Sequence, residues 1–173
     1  MSLLSVLRAH RLRLNLLAAA ACLALYGFAL YSQYQLGLEP CPLCIFQRVA
    51  VVLLGVSFLL AALVPTRARV PGAVTTVLIG VAALWGAGVA LRHLYIQSLP
   101  PGKVPVCGAT LDYMWEVFPA TEVLRKVLTG SGECAKVDWT FLGIAMPGWV
   151  LIWMLALGIG GVLWNWRGRR GNA

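Results

Sequence analysis

Five cysteines punctuate this chain of 173 residues. Cys41 and Cys44 bracket the tetrapeptide Cys41-Pro42-Leu43-Cys44, Cys107 and Cys134 stand far apart, and Cys22 sits inside an apolar run. Cysteines spaced C-x-x-C can close a bridge, ligate a metal or exchange disulfides. A bridge from Cys41 to Cys44 closes only four residues, and in the chain-entropy picture it stabilises by under about 2 kcal/mol before strain. One from Cys107 to Cys134 would close about 28 residues and contribute about 3–4 kcal/mol. A structural role suits the wide pair and leaves the narrow one unexplained. Four cysteines permit three pairings, and spacing does not choose among them. Zinc needs a second C-x-x-C or a histidine. The loop cysteines are widely spaced, so no metal is expected.

The elements that must carry these thiols follow from composition. Sixty per cent of residues are hydrophobic and 12% are charged, against about 25% charged in ordinary soluble domains. Lipid is the natural solvent for such a chain. Crossing about 30 Å of hydrocarbon takes roughly 20 helical residues. Four runs suffice, at about 14–31, 43–64, 73–91 and 147–166. They are continuous rather than alternating, which excludes a barrel. The expected fold is an all-α membrane protein, an antiparallel four-helix transmembrane bundle forming one integral domain over residues 1–173. The first run has a basic start but lacks an A-x-A-like cleavage site, so it reads as a span and not a signal peptide.

Charge orients the bundle. Arg8, Arg11, Arg13, Arg67, Arg69, Arg167, Arg169 and Arg170 gather at one end with no acid among them. The remaining six basic and six acidic residues cancel at the other, so the net charge of +8 belongs to one side. Short arginine clusters beside spans mark the cytoplasmic face, and no nucleic-acid partner is needed to explain them. Both termini are expected inside the cell. The loops at about 32–42 and 92–146, with Cys41, Cys44, Cys107 and Cys134, are expected in an oxidising compartment where disulfides persist. In the longer loop, Val123, Leu124, Val127 and Leu128 share one face of a short amphipathic helix over Ala120–Leu128. Such a helix either lies in the headgroup plane or packs on the bundle ends.

Pro42 is tolerated in a first helical turn, so the C-x-x-C motif reads as the mouth of the second helix. A helix N-terminus and a nearby cation favour a thiolate. Cys41, Cys44 and Arg48 follow at i, i+3 and i+7, one helical face. An arginine one turn into lipid is costly unless paired or snorkelling. Arg48 is therefore either an interfacial cation or a group that stabilises a thiolate and binds a lipid-soluble electron acceptor. A quinone fits the second reading, its carbonyl accepting from the guanidinium, with Gln47 as a further donor. His93 closes the third run on the same side, as an interfacial residue or a part of that site. His10 lies at the opposite end, which argues against a shared metal or haem. Cys22 reads as a small buried hydrophobe.

Taken together, the chain resembles the disulfide bond formation protein B family. The likeness rests on four spans, Cys41-Pro42-Leu43-Cys44 followed by Arg48, the pair Cys107 and Cys134, and the run Trp139-Thr140-Phe141-Leu142-Gly143-Ile144-Ala145-Met146-Pro147-Gly148-Trp149. Gln47 stands where some members carry an acidic residue. The resemblance implies a quinone-dependent protein-disulfide oxidase of the bacterial inner membrane. Its partner would be a periplasmic, thioredoxin-fold DsbA-type oxidase, and its electron acceptor ubiquinone or menaquinone. It further implies that Cys41, Cys44, Cys107 and Cys134 are catalytic, with Cys107 bonded to Cys134 and Cys41 to Cys44. Arg48, Gln47 and His93 would lie at the quinone. Two rivals are a vitamin K epoxide reductase-like oxidoreductase and a non-enzymatic scaffold with structural disulfides.

Overall fold

The computed structural model describes residues 3–64, 69–100, 116–119, 121–123 and 132–170, with the backbone alone at 3–9, 69, 132–133 and 167–170. Four long helices dominate: α1 (Leu3–Tyr34), α2 (Pro42–Leu63), α3 (Arg69–Gln97) and α4 (Met146–Arg170). Each contains a stretch long and apolar enough to cross a membrane. The all-α membrane bundle expected from composition is what the chain forms.

Small residues set the packing. Ala18, Ala19 and Cys22 of α1 meet Ala50, Leu54 and Phe58 of α2, and Ile79, Ala82 and Ala83 of α3 complete the core with Met154 of α4. Lipid provides little hydrophobic drive between helices, so close van der Waals packing at small residues takes over. At Gly158 the approach of α4 to α3 leaves no room for a Cβ beside Ala83. At Gly55 an added Cβ would stand 3.1 Å from the Cβ of Cys22. Cys22, 3% exposed, is thus a buried packing residue of the α1–α2 interface. Large residues such as Leu17, Leu23, Leu84 and Ile159 remain on the outside.

The α1–α2, α2–α3 and α3–α4 interfaces are extensive, whereas α1 meets α4 along a short seam. Polar groups hold that seam at the arginine-rich end. Asn15 and Asn165, both fully buried, exchange amide hydrogen bonds of 3.2 and 3.0 Å. Trp164 Nε1 donates to Asn15 Oδ1 at 3.1 Å. Arg11 Nε donates to Asn165 Oδ1 at 2.9 Å, and Arg11 Nη2 reaches the Ala61 carbonyl at 3.4 Å. Arg11 is only 6% exposed. It is a bundle residue as well as a member of the basic cluster, which charge counting does not reveal.

At the opposite end, β1 (Thr140–Phe141) pairs antiparallel with β2 (Ile144–Ala145). The turn residues Leu142 and Gly143 have φ of 52° and 77°, the two positive values of a type I′ hairpin. Trp149 Nε1 donates to the Phe141 carbonyl at 3.1 Å. Phe28, Trp139, Phe141 and Trp149 form an aromatic row with successive centroids 5.5, 6.1 and 5.9 Å apart. The run from Trp139 to Trp149 is therefore a hairpin pinned to the start of α4. Of the amphipathic helix expected over Ala120–Leu128, residues 121–123 are helical and Val123 is fully buried. The remainder lies outside the described residues.

Candidate active site

Cys41 is the N-cap of α2. Its backbone is extended (φ −67°, ψ 163°), and its Sγ accepts from the backbone N–H of Cys44 at 3.4 Å. The thiol thus fills the role that a serine or aspartate oxygen usually takes at this position. Pro42, lacking an N–H, costs nothing in the first turn. This local chemistry folds the motif back on itself and brings Cys41 Sγ to 3.1 Å from Cys44 Sγ. The pair stands as a hydrogen-bonded dithiol. Cys41 is buried at 7% exposure, while Cys44 is more open.

His93 completes the group from α3. The sequence suggests a helix ending near residue 91, but α3 continues to Gln97 and turns His93 into the protein at 3% exposure. Burial is possible because both ring nitrogens have partners. Nε2 lies 3.0 Å from the Cys134 carbonyl and 3.8 Å from Cys41 Sγ, and Nδ1 lies 3.1 Å from Gln47 Nε2. His93 therefore links α2, α3 and the 3-10 turn Gly132–Ala135. Cys134, fully buried, shares a hydrophobic cluster with Cys41, Leu43, Ile96 and Val123. Cys107 lies outside the described residues.

A cavity of about 1000 Å³ opens onto the dithiol. It is lined mainly by α1, α2 and α4, with the end of α3 and residues 136–139 at its rim, and on α1 it extends from Gln33 to Cys22, a depth of roughly 16 Å at 1.5 Å per residue. Its walls are mostly apolar, with Phe28, Trp149 and Leu157 among them, and Cys44, Gln47, Arg48 and His93 also face it. Arg48 is held by α1: Nη2 donates to the Ala29 carbonyl at 2.9 Å, and Nη1 donates to Gln33 Oε1. An apolar slot with a guanidinium and a thiol on its lining suits a flat, lipid-soluble molecule bearing carbonyl oxygens.

Of the residues singled out from sequence, Cys41, Cys44, Gln47, His93 and Cys134 come together, and Arg48 faces the same cavity. Gln33, which holds Arg48, carried no signal, since a glutamine at a helix end is ordinary. Trp149 figures in the sequence only as the end of the run from Trp139, whereas in the fold it lines the cavity and pins the hairpin.

These features define a polytopic membrane protein with a helix-capping dithiol beside a deep apolar cavity. Residues 11–164 match the family described as disulfide bond formation protein DsbB, and the chain belongs to that family. Proteins of that name are similar over most of their length. The one from Chromobacterium violaceum is 52% identical, covering 90% of this chain and 93% of its own. That from Methylococcus capsulatus is 47% identical, covering 90% and 94%. That from Acinetobacter baumannii is 47% identical, covering 86% of each.

Proposed function

We propose that this protein reoxidises a soluble DsbA-type thiol oxidase on the outer side of the bacterial inner membrane and passes the electrons to membrane quinone. The observation that carries the reading is the dithiol at the mouth of α2, 3.1 Å between sulfurs, opening on an apolar cavity that Arg48 also lines. In this reading the arginine-rich end of the bundle faces the cytoplasm.

The exchange begins at Cys107–Cys134. A thiolate of the reduced partner attacks Cys107, forming a mixed disulfide and releasing the Cys134 thiolate. Cys134 attacks Cys41 of the oxidised Cys41–Cys44 pair, and Cys44 leaves as a thiolate. The partner's second thiol displaces Cys107 and departs oxidised. Cys107 then attacks Cys134, restoring the Cys107–Cys134 disulfide and releasing Cys41. The gain is a Cys41–Cys44 dithiol, two electrons and two protons richer. Quinone, when bound, accepts those two electrons and two protons, and the disulfide re-forms. Arg48 would hold a quinone carbonyl and stabilise negative charge near Cys44. Gln47 and His93 line the same cavity and would orient the ring. His93 Nε2, between Cys41 Sγ and the Cys134 carbonyl, keeps the two cysteines of the internal exchange in register.

Direction needs a strong sink. A DsbA couple near −120 mV is among the most oxidising of protein thiols, and an ordinary thiol pair would not reoxidise it. Stopped-flow quinone reduction with purified protein and a reduced DsbA-type partner tests the reading. Cys44→Ser is expected to abolish quinone reduction, Cys22→Ser to leave it intact, and Cys134→Ser to trap the mixed disulfide. Normal turnover by the Cys44→Ser variant would refute the electron path.

A further inference from the structure

Sequence spacing sets zinc aside because no histidine adjoins the C-x-x-C motif, but the fold supplies one. Cys41 Sγ, Cys44 Sγ and a ring nitrogen of His93 all lie within 4.8 Å of one another. Tetrahedral zinc takes sulfur at about 2.3 Å and nitrogen at about 2.0–2.1 Å, which sets ligating sulfurs roughly 3.8 Å apart and sulfur and nitrogen roughly 3.5 Å apart. The observed separations are 3.1 Å between the sulfurs and 3.8 Å from Cys41 Sγ to His93 Nε2. Both are within about 1 Å of that geometry.

The surroundings are also those of a built site. Gln47, itself 4% exposed, holds the second ring nitrogen of His93 at 3.1 Å, the outer-shell contact that fixes a ligating imidazole. One ligand caps α2, one sits in its first turn and the third is on α3, so helices that are already packed position them. Cys44 and His93 border the cavity, which offers an approach and a fourth coordination position.

We propose that the reduced Cys41–Cys44 pair and His93 bind one thiophilic divalent cation of the zinc class, and that oxidation of the pair abolishes the site. Binding displaces one proton from each thiol and needs the Nε2 lone pair. Nδ1 then carries the ring proton, and the Gln47 amide presents its oxygen to it. The Nε2 contact with the Cys134 carbonyl is given up. No electron moves. The disulfide form has no thiolate to offer, so affinity is gated by redox state. Two released protons make apparent affinity rise by up to about a hundredfold per pH unit while both thiols remain protonated in the free protein. The inhibitory consequence rests on the function proposed above: a bound cation ties up both thiolates of the reduced pair, blocks their reoxidation by quinone and arrests the protein in its reduced form. Binding itself does not depend on that reading.

Cadmium titration of the full chain in detergent, followed by sulfur-to-metal charge-transfer absorption, tests the site. A Cys107→Ser, Cys134→Ser background removes the other pair as ligands. One equivalent is expected to bind the reduced protein, and affinity is expected to fall at least a hundredfold after diamide oxidation. His93→Ala should weaken binding at least tenfold. Equal affinity in both redox states, or no effect of His93→Ala, would overturn the proposal. The redox comparison uses one polypeptide, so a folding defect in the histidine variant cannot imitate it. Zinc should also inhibit quinone reduction by the unmodified protein, reversibly on chelation. Cadmium binding without any turnover would sink the proposed function and leave the site standing. Turnover without cadmium binding would do the reverse.

Discussion

Arg48 shows how much a single residue's meaning depends on its neighbours. Its place one turn into α2 leaves two readings, an interfacial cation or a ligand for an electron acceptor. The fold ties the side chain to Ala29 and Gln33 of α1 and sets it on the cavity lining. Charge-assisted hydrogen bonds contribute about 1.5–3 kcal/mol. Arg48→Ala is therefore expected to raise the apparent KM for quinone about tenfold or more, measured at saturating reduced partner. Arg48→Lys, a point charge without the planar fork, should recover only part of the loss. An unchanged KM in the alanine variant would return Arg48 to a purely interfacial role. His93 teaches the complementary lesson. Its chain position near the end of a hydrophobic run suggests the interface, yet its two ring nitrogens are satisfied inside the protein.

Among the elements, the hairpin before α4 was visible in sequence only as a motif. Its turn explains the Leu-Gly pair: a type I′ turn needs positive φ at both central residues. Gly143 accepts this without strain, while Leu142, exposed at the tip, adopts it at φ 52°. Two substitutions should then move stability in different directions. Gly143→Ala places a Cβ at φ 77° and is expected to destabilise by about 1 kcal/mol. Leu142→Asn puts a residue tolerant of that region in the strained position and is expected to be neutral or mildly stabilising. Thermal unfolding in detergent measures both, and equal losses would contradict the turn assignment. The hairpin matters to the site because it holds Trp149, which lines the cavity, through the Phe141 carbonyl.

For the molecule as a whole, the short α1–α4 seam is the feature on which the cavity depends. The two helices are joined by the Arg11–Asn15–Trp164–Asn165 network at the arginine-rich end and flank the cavity toward the cysteine end. Asn165→Leu would remove hydrogen bonds that Arg11 and Asn15 make in a buried place. A hydrogen bond contributes about 0.5–1.5 kcal/mol net and one to a charged group about 1.5–3 kcal/mol, so a loss of at least about 2 kcal/mol is expected. Combined with Asn15→Leu, the losses should fall short of additivity by about 0.5–1.5 kcal/mol, as interacting neighbours do. Strict additivity in unfolding measurements on the four proteins of this cycle would show that the two asparagines act independently.

The four helices were legible because lipid imposes a blunt rule: about 20 apolar residues must run together to cross it. The dithiol's place at a helix start was legible too, since a proline between the cysteines fits a first turn and little else in a helix. Local sequence thus determined the spans, the start of the second helix at the motif and the chemistry open to Cys41 and Cys44. It could not determine which partners buried polar groups would find, because those are separated by long stretches of chain. His93 lies 46 residues from Gln47 and 41 from Cys134, and Asn15 lies 150 from Asn165. Only helix packing decides such pairs. A polar group buried among apolar neighbours must find a hydrogen-bond partner, and the hydrophobic pattern of the chain does not say where that partner will be.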